Sequence, residues 1–338
     1  MNGDERPLLD VRGLRTSFFT SGGEVVAVDG IDLQLRRGEA LGIVGESGSG
    51  KSTVALSLMG LVPPPGRTIG GEILFRGEDL LKKTPEQMRA LRGNRISLIF
   101  QDPMTSLNPV LTIGEHVAEP FKFHRPVGAR QAWRLGVQML KSVGIPSAER
   151  RAHDYPHRFS GGMRQRVIIA TALACRPDLI VADEPTTALD VSIQAQILVM
   201  LREARQRDGA ALILITHNLG VVAELCDRAA VMYAGKIVEE APVDELFGAP
   251  RHPYTRALLG SLPRLGRRER RLQSIDGAPP SLIDLPPGCH FAPRCPLAQP
   301  VCREVTPCFF SATTSHSVRC LAEEPQWKLH FQPSQQPV

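Results

Sequence analysis

The stretch EALGIVGESGSGKSTVALSLMGL, residues 39–61, constrains this 338-residue chain more than any other. It opens as a run of small and branched apolar residues, breaks into glycine and serine at Gly45, and resumes as a helix after Gly50. That is a strand, a loop and a helix. The loop has the form G-x-x-x-x-G-K-S, in which glycines let successive backbone N–H groups point inward around phosphates and the next helix offers its positive end to the same anion. Gly45, Ser47, Gly48, Gly50 and Thr53 are the expected cradle, Lys51 is placed to meet the β and γ phosphates, and Ser52 to ligate Mg2+. A chance lysine in a glycine-rich turn would not come with both flanking elements.

A second apolar run, Leu179 to Ala182 in DLIVADEPTTALD, ends in two acids. Ligand chemistry in a parallel sheet sits at the carboxyl ends of its strands, so Asp183 suits the magnesium shell. Glu184, one residue on, points elsewhere and is the candidate to accept a proton from an attacking water. Between these motifs lies FSGGMRQRVIIATALACRPDL. Ser160 reads as an N-cap, Gly161 and Gly162 expose N–H groups at the helix start, and Gln165 lies in the first turns.

At this point the residues resemble the ATP-binding cassette family. FSGGMRQR looks like its signature motif, which usually opens with leucine where this chain has Phe159. The resemblance spans roughly residues 8–245 and implies an α/β P-loop NTPase with a helical subdomain. It further implies that two such domains pair head to tail, each ATP lying between the phosphate loop of one and the signature motif of the other. By the same resemblance Gln101, in LIFQDPMTSLNP, senses Mg2+ and faces the membrane partner, Asp190 makes a dimer contact, and His217 is the switch histidine. His217 ends the apolar run AALILITH, so a strand is expected to deliver its imidazole to the γ-phosphate. Phe18, with Phe19 as its rival, is the expected platform for adenine. Stacking adds only about 0.5–1.5 kcal/mol beyond burial, so this contact tunes affinity and does not make the site.

The remaining chain is organised around these motifs. Residues 8–100 are expected to form a mixed sheet with the phosphate loop, residues 103–175 a helical insertion ending in the signature helix, and RAAVMYAGKIVEEA a hairpin turning at Ala234-Gly235. The cassette, residues 1–245, is then followed by an extension, residues 246–338. There GAPRHPYTRALLGSLPRLGRRERR resembles the linker motif of oligopeptide and dipeptide importers. The five arginines between Arg264 and Arg271 read as a solvated linker.

The amino terminus is not a secretory signal, and the longest apolar runs fall short of the roughly 18 residues a membrane span needs. A net charge of +5 is too mild to make nucleic acid a partner. A cytosolic chain keeps its thiols reduced, so the five cysteines in the last fifty residues read as metal ligands before disulfides. Four soft thiolates in a loop-rich segment suit tetrahedral Zn2+ or an iron–sulfur cluster, and spacing alone does not separate these. Relatives in the peptide-importer branch carry C-x-F-x-x-R-C-P, present here from Cys289 to Pro296, and some bind a 4Fe-4S cluster there. The resemblance assigns Cys289, Cys295, Cys302 and Cys320 as its ligands and leaves Cys308 as an extra thiol. Because the cassette has its own core, loss of that site is expected to stay local to the extension.

The implied function is ATP hydrolysis in a di- or oligopeptide importer, at the cytoplasmic face of the inner membrane. Its partners, as the resemblance implies them, would be a second cassette ATPase, in this branch commonly a different chain, two transmembrane permease subunits and, indirectly, an extracytoplasmic solute-binding protein. The rival is a soluble cassette ATPase acting in DNA repair or translation.

Overall fold

The computed structural model describes residues 6–102, 106–187, 189–261, 275–327 and 331. The arginine-rich run from Arg264 to Arg271 lies outside them. Among the described residues the strands form two sheets. The smaller is antiparallel, with strands β1 (Leu9–Thr20), β2 (Gly23–Leu35), β4 (Gly66–Phe75) and β5 (Glu78–Asp79) in the order β2-β1-β4-β5. The larger holds β3 (Ala40–Val44), β6 (Ile96–Ile99), β7 (Leu179–Asp183), β8 (Ala211–Ile215) and β9 (Arg228–Tyr233), which pair in parallel as β9-β3-β8-β7-β6. It continues antiparallel through β10 (Lys236–Pro242), β12 (Ser317–Val318) and β11 (Phe310–Ser311).

The expected single mixed sheet over residues 8–100 is thus corrected to strands shared between two sheets. Burial explains the division. Every residue of β3, β7 and β8 is buried, as a parallel strand covered on both faces requires, whereas β1 and β2 interleave buried with exposed positions. Within β3, Leu41 and Ile43 pack with β1, β2 and the helix Lys51–Met59 in one core cluster, while Ala40 and Val44 belong to the cluster on the opposite face. The helix after the phosphate loop is therefore clamped between the two sheets.

The opposite face carries the helices. Ile113–His124, Ala129–Ser142 and Gly161–Leu173 place Ile113, Val117, Leu140 and Val167 in the same cluster as Ala40 and Val44. The hairpin turns where the sequence indicates: Tyr233 pairs Lys236, and Ala234 and Gly235 both have positive φ, 43° and 82°, the backbone of a tight two-residue turn. The extension does not stand apart. Strand β12 pairs β10, and Tyr254 and Phe291 are fully buried in the larger core cluster. Among the described residues no helix is long and apolar enough to cross a membrane.

Candidate functional site

The carboxyl ends of β3, β7 and β8 deliver three short segments to one side of the sheet: the phosphate loop, Asp183-Glu184 and Thr216-His217. A cavity of about 730 Å³ lies there, lined by Ser47, Gly48, Gly50, Lys51, Ser52, Thr53, Gln101, Glu184 and His217, with Phe18, Val25, Ala27 and Leu282 at an apolar end. The loop's glycines are required by space as well as by φ. A Cβ on Gly45 (φ 154°) would lie 2.1 Å from Met232 O, and one on Gly50 (φ 102°) 2.0 Å from Ala27 O.

Lys51 Nζ donates to the carbonyls of Gly45 and Glu46, each at 2.8 Å, so two backbone oxygens stand where phosphate oxygens would be met. Burial lowers its pKa, opposed by the charges of Glu184, Asp183 and Glu46. The two adjacent acids diverge. Burial raises the pKa of Asp183, a hydrogen bond from Ser52 opposes that shift, and Asp183 Oδ1 is buried without a partner. An orphaned carboxylate oxygen beside a hydroxyl, with Gln101 on the cavity wall, fits a hard cation completed by phosphate oxygens.

Glu184 sits at φ 48°, a left-handed backbone uncommon for a non-glycine residue, and this turns its carboxylate away from Asp183. Its Oε1 accepts from the backbone N–H of His217 at 3.0 Å and lies 2.7 Å from His217 Nδ1, while its Oε2 accepts from Thr187 Oγ1 at 2.7 Å. Glutamate and histidine are thus one hydrogen-bonded unit.

Phe18 lines the apolar end of the cavity, while Phe19 is exposed beneath the Arg67 guanidinium, 4.5 Å from the ring centre. The signature residues lie elsewhere. Ser160 caps its helix by accepting from Met163 N at 3.4 Å, with Gly161 and Gly162 in the first turn, and none of these lines the cavity. Gln165 is buried, with both amide atoms unpartnered. Asp190 is exposed and caps the helix Val191–Asp208, its Oδ1 accepting from Ile193 N at 2.9 Å.

Cys289, Cys295, Cys302 and Cys320 line one small cavity with His252, Phe291, Leu297 and Leu321, and Cys308 is exposed away from it. Burial pushes the thiols of Cys289 and Cys295 up to about 11 and that of Cys320 up to about 12. Among the described residues no group of three or more His, Cys, Asp or Glu could hold a metal ion. The four cysteines that the resemblance assigns as ligands are gathered in one apolar pocket, with the fifth outside it.

Two further residues escaped the sequence reading. Leu282 reaches the cavity from the extension, its carbonyl accepting from Val26 N at 3.1 Å. Glu46, an unspecified position of the loop motif, is held by Tyr254 and Arg294. Their contacts join segments more than 200 residues apart, and no local pattern announces them.

Residues 28–187 match the family model described as ABC transporter, and residues 238–302 match that of the oligopeptide/dipeptide transporter C-terminal region. The dipeptide transport ATP-binding protein DppD of Bacillus subtilis is 49% identical over 318 residues, 94% of this chain and 95% of that protein. The oligopeptide transport ATP-binding protein OppD of Salmonella typhimurium is 49% identical over 300 residues, 89% of each chain. Among solved structures, the dimeric cassette MJ0796 bound to ADP and Pi superposes with a TM-score of 0.64 at 26% identity, covering 70% of this chain and 98% of that one.

Proposed function

This chain belongs to the ABC transporter family, in its oligopeptide and dipeptide branch, and from that premise we propose how its residues divide the work. The protein is the ATP-hydrolysing subunit of a peptide importer. The observation that carries the reading is the convergence of Lys51, Ser52, Gln101, Glu184 and His217 on one cavity, with Asp183 hydrogen-bonded to Ser52.

The loop N–H groups from Gly45 to Thr53 cradle the phosphates, and Lys51 leaves the two carbonyls to meet them. Ser52, Asp183 and Gln101 would hold Mg2+, which would supply positive charge against the phosphates. Phe18 stacks on adenine. Water attacks the γ-phosphorus, the bond to the ADP oxygen breaks, and the proton leaves to Glu184, whose carboxylate His217 orients.

Ser160, Gly161 and Gly162 complete the site of a second cassette ATPase subunit, with Asp190 at the contact. Their separation from this chain's own cavity supports that arrangement. Two permease subunits form the path, so the chain works peripherally at the cytoplasmic membrane face. The soluble reading in DNA repair or translation is set aside, since the relatives above are named for peptide transport.

Cys289, Cys295, Cys302 and Cys320 hold a 4Fe-4S cluster that staples the extension. Its support is that these four line one pocket while Cys308 does not; the cluster would supply four iron–thiolate bonds to a segment with little core of its own.

The test of the catalytic reading is Glu184→Gln in the assembled transporter. ATP binding is retained and hydrolysis falls by roughly 10² to 10⁴, the range for a positioned general base, whereas Lys51→Ala weakens binding itself. Wild-type turnover by the glutamine variant would remove Glu184 from that role.

A further inference from the structure

The HPYT segment and the arginine of C-x-F-x-x-R-C-P play no part in the chemistry above, yet both end at the phosphate loop. Pro253–Gly260 is a helix capped by His252, and it buries Tyr254 completely. The Tyr254 hydroxyl accepts from Glu46 N at 2.8 Å. From the cysteine-bearing segment, Arg294 donates to both carboxylate oxygens of Glu46, Nη1 to Oε2 at 2.7 Å and Nη2 to Oε1 at 3.0 Å. Glu46 is thus held at three points: its amide by Tyr254, its carboxylate by Arg294, and its carbonyl by Lys51 at 2.8 Å.

The clamp is rigid at its far end. The Arg294 side chain is 5% exposed, and its other N–H groups donate to the carbonyls of Asp276 and Ile275 and to Tyr233 Oη. Arg294 closes the 3-10 turn Ala292–Arg294, whose preceding residue Phe291 packs against Tyr254 with ring centres 5.4 Å apart. Both arms therefore rest on one aromatic cluster.

We infer that Arg294 and Tyr254 are positioning residues for ATP binding: the extension fixes the phosphate loop through Glu46 and neutralises a carboxylate that would otherwise repel the phosphates. This rests on the nucleotide reading of the cavity. A surface ion pair would do little, but this one is bidentate, mostly buried and made to a residue within the phosphate loop, next to Gly45 and Ser47. The proposal runs against the expectation that loss of the cysteine site stays local to the extension, because these contacts reach the phosphate loop.

The experiment is a double-mutant cycle on the full chain, read as the Kd of a fluorescent ADP analogue carrying the N-methylanthraniloyl group. Arg294→Met leaves Glu46 unpaired beside the phosphates and raises Kd about tenfold. Glu46→Gln with Arg294→Met binds within about threefold of Glu46→Gln alone, since the charge that Arg294 balanced is gone. Arg294→Lys falls between wild type and Arg294→Met, keeping the charge but not the fork. A purely structural Arg294 would lower the unfolding midpoint in both backgrounds and leave the double variant as weak a binder as Arg294→Met; that result, or wild-type Kd in Arg294→Met, overturns the inference. Should Arg294→Met not fold, Tyr254→Phe tests the other arm, with a Kd raised about threefold expected and an unchanged Kd against the proposal. Failure of the wild-type chain to bind the analogue would instead refute the nucleotide reading.

Discussion

At the scale of single residues the phosphate loop is where sequence and structure agree most closely, and the agreement can be tested without nucleotide. Gly50 and Gly48 both have positive φ, 102° and 77°, but a Cβ on Gly50 would meet Ala27 O at 2.0 Å, whereas one on Gly48 meets nothing within 4 Å. Urea unfolding of the apo chain should therefore separate them: Gly48→Ala loses about 1 kcal/mol for its backbone, and Gly50→Ala roughly 3 kcal/mol or more, because backbone must also move. Equal losses would mean that the loop relaxes freely away from β2. Gly45, Lys51, Ser52, Asp183 and His217 could be singled out in the sequence because each role proposed for them needs one residue type at one spacing. Glu184 was legible as an acid, but its left-handed backbone and its bond to His217 were not, since both depend on how β7 and β8 lie side by side. The burial of Gln165 was not legible, because a motif position does not say which side of its helix is covered.

At the scale of elements, period and length carried most of the fold. Uninterrupted apolar runs gave β7 and β8, and a glycine after an apolar run gave the β9–β10 turn. Which strand joins which sheet was not legible: β1 and β3 both fall in the stretch expected to form one mixed sheet, and only their long-range partners place them in different sheets. The last strands illustrate the same limit. Strand β12 is two residues long, yet it is fixed to β10 around Glu239, a fully buried carboxylate that accepts from the backbone N–H of Arg251 at 2.6 Å and of His252 at 2.9 Å. His316 Nε2 lies 2.7 Å from the same carboxylate. Glu239→Leu strands two amides and a ring nitrogen, so a loss of about 2–4 kcal/mol is expected, with Glu239→Gln losing less because one acceptor remains. Hydrogen exchange should show the loss concentrated at Ser317 and Val318; uniform deprotection across β3, β7 and β8 would mean that Glu239 supports the whole sheet and not this edge.

At the scale of the whole molecule, a change of composition near Gly248 suggests that a separate extension begins there, while the packing runs across it. Tyr254 and Phe291 belong to the same core cluster as Val44 and Leu214, and β12 extends the central sheet. Composition reports local character and cannot report that an arginine 248 positions away closes on the phosphate loop. This sharing decides what the cysteine site should do when it is emptied. If Cys289, Cys295, Cys302 and Cys320 hold a 4Fe-4S cluster, the anaerobically purified chain is brown and contains iron and sulfide in equal amounts. Cys295→Ala should bleach it, because a cubane needs four protein sulfurs and Cys308, exposed outside the pocket, is no substitute; Cys308→Ser should keep the colour. Colourless wild-type protein would remove the cluster, and bleaching by Cys308→Ser but not by Cys320→Ala would exchange the fourth ligand. Cys295 directly follows Arg294, so nucleotide affinity should fall together with the colour in Cys295→Ala, whereas a staple confined to its own segment would lose colour alone.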